Sequence, residues 1–191
     1  MADGGILFSL LPLDAMFGSR DEKVWRRDEL LKKHTLLAVL SLPDELFRPA
    51  AMKQVVGVII KKGVPHPKEQ PVYWARIAND GYMVLKSKRL PGNQQRPPRV
   101  VPDDLPKVFP TLRNFVAHPN SVNVNQPRLC KTAPIDFDDP LLELLPEVYL
   151  DTTAPSATEM VHAVEGMVRE TAAFLLRFER ESMAGAFNEV D

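Results

Sequence analysis

Three short apolar runs near the start of the chain constrain its fold more than any other feature. They are Ile6-Leu7-Phe8-Ser9-Leu10-Leu11, Thr35-Leu36-Leu37-Ala38-Val39-Leu40-Ser41 and Gln54-Val55-Val56-Gly57-Val58-Ile59-Ile60. None shows the polar/apolar alternation of a half-exposed strand, so each reads as a strand buried on both faces. Their spacing sets the connections. A helix fits between the first two: Ser19 and Glu22 make a capping-box pattern, and Val24, Trp25, Leu30 and Leu31 lead to the basic end Lys32-Lys33-His34, which suits the helix dipole. Pro43-Asp44 ends the second run, and no helix fits before the third. The reading is one crossover with a parallel strand pair, followed by a hairpin that adds an antiparallel strand.

Further along, Val64 to Gln70 is a proline-rich loop. Val72-Tyr73-Trp74-Ala75-Arg76-Ile77 and Tyr82-Met83-Val84-Leu85 flank Ala78-Asn79-Asp80-Gly81, a strong signal for a second hairpin. The basic run Lys86-Ser87-Lys88-Arg89 follows. Pro91, Pro97, Pro98, Pro102, Pro106 and Pro110 then interrupt long elements, leaving a short helix around Leu105–Val116. Residues 118–140 read as an extended arm that wraps over a surface. Ser156 and Glu159 open a last helix, with Met160, Val164, Met167, Val168, Thr171, Phe174, Leu175 and Phe178 at helical spacing as far as Arg180.

Charge and proline content mark the same division. Residues 1–102 hold 17 Lys/Arg against 10 Asp/Glu, and residues 103–191 hold 7 against 15. A basic half and an acidic half suit different partners, or are simply two solvated faces. Many of the 18 prolines lie between residues 91 and 140, where the charge changes sign. The division is into residues 1–92, a proline-rich arm over 93–140, and a docking segment with the last helix over 141–191. No apolar run reaches the ~20 residues of a membrane span, and the opening residues lack the basic n-region and cleavage site of a signal peptide. A cytoplasmic location is expected.

The inventory for chemistry is thin. His34, His66, His118 and His162 have no ligand spacing, so no metal site is expected. Cys130 reads as a bystander thiol, and Asp138-Asp139 as a solvated acidic loop. The glycines do not form a phosphate-cradling loop.

The informative signal is an ordered set. GGILFSLLPLDAMFG, a helix ending ELLKKH, TLLAVLSLPDELFRPAAMKQVVGVIIKKG and VYWARIANDGYMVLKSKR occur in that order. Over residues 4–92 this resembles the C-terminal part of the catalytic domain of N6-adenine DNA methyltransferases, above all methylation subunits of type I restriction–modification systems and related fused enzymes. The resemblance implies an α/β chain with a partial Rossmann-like class I S-adenosylmethionine-dependent methyltransferase fold. The first run would be the fifth strand of that sheet. The next two would be its terminal β-hairpin, with the last strand inserted antiparallel between its neighbours. An extra hairpin and a C-terminal α-helix complete the expected architecture.

The family's Gly-rich cofactor turn and its Asn/Asp-Pro-Pro-aromatic loop do not occur in this sequence. The resemblance therefore implies no catalytic residue in this chain, and S-adenosylmethionine only through a partner chain. Phe47, in Glu45-Leu46-Phe47-Arg48-Pro49, matches an aromatic that packs against the extruded base; stacking there would offset part of the cost of flipping. Phe47 as a plug in the hairpin turn is the other reading. Arg48, Lys53, Arg76, Lys86, Lys88 and Arg89 read as DNA phosphate contacts or as ordinary surface charge. The expected partners are DNA and a methyltransferase or specificity subunit. These would attach at the Ile6–Leu11 edge and at the helix Ser156–Arg180, unless that helix packs back on its own domain; the Leu141–Leu150 segment reads as apolar enough to dock on a partner. The expected function is a component of a DNA adenine-N6 methyltransferase of a restriction–modification or related phage-defence system. A catalytically inactive DNA-binding or interaction module derived from one, or a truncated remnant, are the alternatives.

Overall fold

The computed structural model describes residues 3–48, 50–51, 53–85, 88–94, 100–151 and 157–172 apart from 159, 163, 167 and 170. The chain divides into two units, Met1–Thr152 and Thr153–Asp191. The proline-rich arm and the Leu141–Leu150 segment thus share one compact unit with the first 92 residues.

The first unit is built on a mixed six-stranded sheet of order β1-β3-β2-β4-β8-β7. Its strands are β1 (Ile6–Pro12), β2 (Thr35–Ser41), β3 (Val55–Lys61), β4 (Pro71–Arg76), β7 (Asn125–Gln126) and β8 (Cys130–Pro134). β3 lies between β1 and β2 and is antiparallel to both. β1 and β2 therefore run in the same direction without touching. β2 is buried along its whole length, as its unbroken apolar run requires. Its other neighbour is β4, which is parallel to it, with Ser41 opposite Arg76 at the end of the ladder.

The pairing of β4 corrects one expectation. Val72–Ile77 does not form a hairpin with Tyr82–Leu85. The extra hairpin joins β5 (Tyr82–Leu85) to β6 (Lys88–Pro91). The Asn79-Asp80-Gly81 turn instead pairs with a later segment: the Gly81 N–H donates to the Pro102 carbonyl at 2.9 Å, and the Asp104 N–H to the Asn79 carbonyl at 2.9 Å. Gly81 takes φ +76°, which explains the glycine. The arm over 118–140 is corrected too, because β8 pairs antiparallel with β4 and β7 with β8.

The two sheet faces carry two cores. On one, Val39, Val56, Val58, Val72 and Trp74 pack with Leu30, Leu31, Leu142, Leu144 and Leu150. The Leu141–Leu150 segment is thus partly core, folded back on its own sheet. On the other, Ala38, Leu40, Tyr73 and Ala75 meet α2 (Leu105–Ala117) through Val108, Leu112 and Phe115, a spacing of four and then three that places them on one helix face. The Tyr73 hydroxyl shares a 2.6 Å hydrogen bond with the Thr111 hydroxyl. Burial pushes the neighbouring Cys130 thiol up, which keeps it protonated and unreactive.

The helix between β1 and β2 begins as α1 (Asp21–Val24) and continues as a π-helical stretch, Trp25–Leu31. Its N-cap is Arg20 with no side-chain capping bond, so the expected Ser19–Glu22 capping box does not form. The widened turns place Arg26 wholly inside. Its guanidinium donates to the carbonyls of Leu142 (2.9 Å), Ala15 (2.9 Å), Gly18 (2.8 Å) and Leu141 (2.9 Å). Burial lowers its pKa, and Glu22, Glu143 and Asp139 oppose that shift. Four carbonyls from two distant segments thus converge on one side chain.

His66 carries a pH prediction. Its backbone N–H donates to the Leu31 carbonyl at 2.8 Å, and its ring lies 6.3 Å from that of Phe137. Burial lowers its pKa to about 4, partly offset by the Gln70 backbone. Between the ordinary value of about 6.5 and about 4, the unfolded chain takes up a proton that the folded chain refuses. Its contribution is complete above that window and is lost as pH falls through it. Urea midpoints measured from pH 7 to pH 4 should decline, and His66→Phe should flatten that decline.

In the second unit, the described residues of 157–172 are helical, with Met160, Val161, Val164 and Val168 exposed. Ser156, Glu159 and residues 173–180 of the expected helix lie outside the described residues.

Candidate functional site

β1, β2 and β4 point the same way, and their C-terminal ends open into one cleft of about 680 Å³. Ligands of open α/β sheets bind at this end of the strands. Leu13 follows β1, Ser41 to Glu45 end β2 and lead out of it, and Arg76 to Asp80 do the same for β4. Gln54 and Val55 enter from β3, Tyr82, Met83 and Arg89 from the β5–β6 hairpin, and Leu145 and Glu147 from α3 (Pro146–Tyr149) and the residue before it.

The parallel register brings Ser41 and Arg76 side by side, and Glu147 bridges them. The Ser41 hydroxyl donates to one Glu147 oxygen at 2.8 Å, and Arg76 Nε lies 3.7 Å from the other. Glu147 is fixed from behind. Tyr149 stacks on Trp74 with centroids 3.8 Å apart and planes 1° from parallel, and the Tyr149 hydroxyl donates to the Glu143 carbonyl at 3.1 Å. Burial pushes the Tyr149 phenol up to about 12, so it stays neutral.

In the same lining Arg89 pairs with Asp80, and its guanidinium stands 5.0 Å over the Tyr82 ring. Asp80 also accepts the Tyr82 N–H at 3.3 Å. Asp104 accepts the Asn79 N–H at 2.9 Å, tying the turn to the start of α2.

The residues expected to contact DNA are therefore distributed unevenly. Arg76 and Arg89 line the cleft, and each is paired to a carboxylate. Arg48 stands 3.5 Å from Glu45. Lys53 is exposed just before Gln54, and Lys88 is exposed on β6. Phe47, 37% exposed, sits on the loop that follows β2 but outside the cleft lining. Lys86 lies outside the described residues. Sequence reasoning missed Glu147, Ser41, Asp80 and Tyr82 as parts of this site. Glu147 stands in an apolar stretch, and its partners are 71 and 106 positions away in the chain, so no local pattern exposes it.

The edge strand is the second unusual surface. β1 ends the sheet, and Ile6, Leu7, Phe8 and Leu10 are 53%, 42%, 54% and 43% exposed. Ile6, Phe8 and Leu10 share one face. On the other face a slot of about 280 Å³ runs between Leu7, Ser9 and Leu11 and the helix residues Trp25 and Leu30.

Among the described residues no three His, Cys, Asp or Glu side chains are placed to hold a metal ion. No described helix is long and apolar enough to cross a membrane. A Cβ on Gly81 would meet Asp103 at 3.5 Å, so the turn after β4 backs onto the chain itself.

The fold has the mixed α/β architecture of restriction–modification methyltransferase subunits. A solved type I restriction–modification assembly matches 93% of this chain and 36% of its own at TM-score 0.54 and 16% identity. The methyltransferase subunit of a type I system from Streptococcus thermophilus matches 74% of this chain and 26% of its own at TM-score 0.50 and 17% identity. In sequence, the chain is similar to the type II restriction enzyme and methyltransferase RM.BcgI of Heyndrickxia coagulans, 31% identical over 90 residues. That stretch is 47% of this chain and 14% of the relative. No protein-family model matches the chain. The likeness is thus to part of a restriction–modification methyltransferase.

Proposed function

We propose that the chain is a component of a site-specific DNA adenine-N6 methyltransferase in a restriction–modification or related phage-defence system, acting in the cytoplasm. In this reading β1, β2 and β3 are the fifth, sixth and seventh strands of a class I methyltransferase sheet. A partner chain supplies the preceding strands, the cofactor turn and the Asn/Asp-Pro-Pro-aromatic loop. S-adenosylmethionine binds to that partner and provides the methyl group. This chain's part is to finish the sheet, to hold DNA phosphates with Arg48, Lys53, Arg76, Lys86, Lys88 and Arg89, and to stack the displaced base on Phe47. A specificity subunit engages the C-terminal helix.

The observation that carries this reading is β1. Its sequence is that of a strand buried on both faces, yet it ends the sheet with apolar side chains exposed on both faces. Exposed apolar edges invite strand pairing. The test is purification of the tagged chain from its native host. A stoichiometric partner whose own sequence carries both missing motifs is the expected result. A chain that stays monomeric in that host, with no such partner, contradicts the proposal.

A further inference from the structure

We propose that Glu147 is an electrostatic latch on the DNA-binding face, holding Arg76 away from phosphate until DNA displaces it. This rests on the DNA-binding part of the proposed function. The two arginines that line the cleft are both paired with carboxylates that line it too. Asp44 and Glu45 add two further negative charges to the same lining. Among the described lining residues each arginine therefore already faces a carboxylate, and Glu45 in turn has Arg48 3.5 Å away.

The two arginine pairs differ in kind. Arg89 and Asp80 are largely buried, at 17% and 11% side-chain exposure, and belong to one turn and hairpin. Arg76 and Glu147 are 56% and 42% exposed and come from different elements. Exposed ion pairs are weak, because water and salt screen them. A phosphate, which offers charged oxygens to the same guanidinium, can take Glu147's place. The Ser41 hydrogen bond and the Trp74–Tyr149 stack hold Glu147 where it can return. Glu147 is thus set to weaken DNA binding by occupying one phosphate contact.

The test is DNA affinity of the full chain against salt, read by fluorescence anisotropy on a labelled duplex. Glu147→Gln keeps an oxygen that can accept from Ser41 and removes the charge. It should tighten binding about three- to tenfold at low salt and steepen the log–log salt slope by about 0.9, the value for one added phosphate contact. Arg76→Gln should weaken binding, and Glu147→Gln should add nothing in that background. Glu69→Gln, which removes an exposed charge on the loop before β4, controls for net charge.

An equal gain with Glu69→Gln, or a gain from Glu147→Gln that persists without Arg76, overturns the latch and leaves DNA binding intact. Equal affinity of the wild type and Glu147→Gln also overturns it. Absence of binding by every variant overturns the DNA-binding reading along with the latch.

Discussion

Replacing Arg26 by Met should lower the unfolding free energy by about 3–5 kcal/mol, within the range for stranding buried polar partners. The side chain is wholly buried, and its removal leaves the carbonyls of Ala15, Gly18, Leu141 and Leu142 without their donor. Those carbonyls belong to the turns after β1 and to the segment that returns across the sheet ahead of α3. Losing the donor should therefore loosen the segment that carries Glu147 as well as the helix itself. Arg26→Lys should recover less than half of the loss, since an ammonium cannot reproduce the planar fork that reaches four acceptors. Arg27→Met, one residue on, should change stability by less than about 0.5 kcal/mol, because exposed ion pairs such as that with Asp28 contribute little. Urea midpoints of the three variants and the wild type give the comparison directly. Equal losses for Arg26→Met and Arg27→Met would contradict the assignment.

The second large effect is expected at β1. Phe8→Lys with Leu10→Lys places two charges on the exposed face of the edge strand. Lysines on an edge strand block pairing with a further strand. Both residues are already in contact with solvent, so the chain itself should keep its folded circular dichroism spectrum. Association with the partner should weaken by at least about 100-fold, since charges at the centre of an apolar interface remain unpaired on binding. Retention of full assembly by the folded double variant would show that β1 is not the joining edge.

The legible and illegible parts of this fold separate along physical lines. The three apolar runs were readable as strands because none alternates with polar residues, but their burial was not: β2 is buried throughout, whereas β1 lies at the sheet edge with apolar side chains exposed on both faces. The Leu105–Val116 helix was readable only as the short element that the prolines leave room for. The antiparallel β2–β3 connection followed from the lack of room between the two runs. β8 was not readable. Cys130-Lys131-Thr132-Ala133-Pro134 has no strand-like apolar pattern, and its place is set by the free edge of β4. The turn at Asn79-Asp80-Gly81 has the residues of a hairpin, but contacts with Pro102 and Asp104 decide its use. The π-helical turn hid Arg26 in the same way, since two adjacent arginines look alike in sequence and only one is buried.

The candidate site was half legible. Composition and resemblance pointed to Arg76 and Arg89, and the structure places both on the cleft at the strand ends. Their carboxylate partners were not legible. Asp80 read as a turn residue and Glu147 as a break in an apolar stretch. The charge of a surface depends on which groups meet across it. The basic balance of residues 1–102 therefore does not carry over to this cleft, where acids from both halves of the sequence face the arginines.

In the proposed role this chain completes a DNA adenine methyltransferase whose cofactor and catalytic motifs lie on a partner. Transfer of labelled methyl groups from S-adenosylmethionine to DNA, with the product nucleosides separated, tests it most directly. N6-methyladenine is expected from the assembled complex, none from either chain alone, and none from a complex attempted with the Phe8→Lys, Leu10→Lys variant. Full N6-methyladenine formation by the partner without this chain would contradict it.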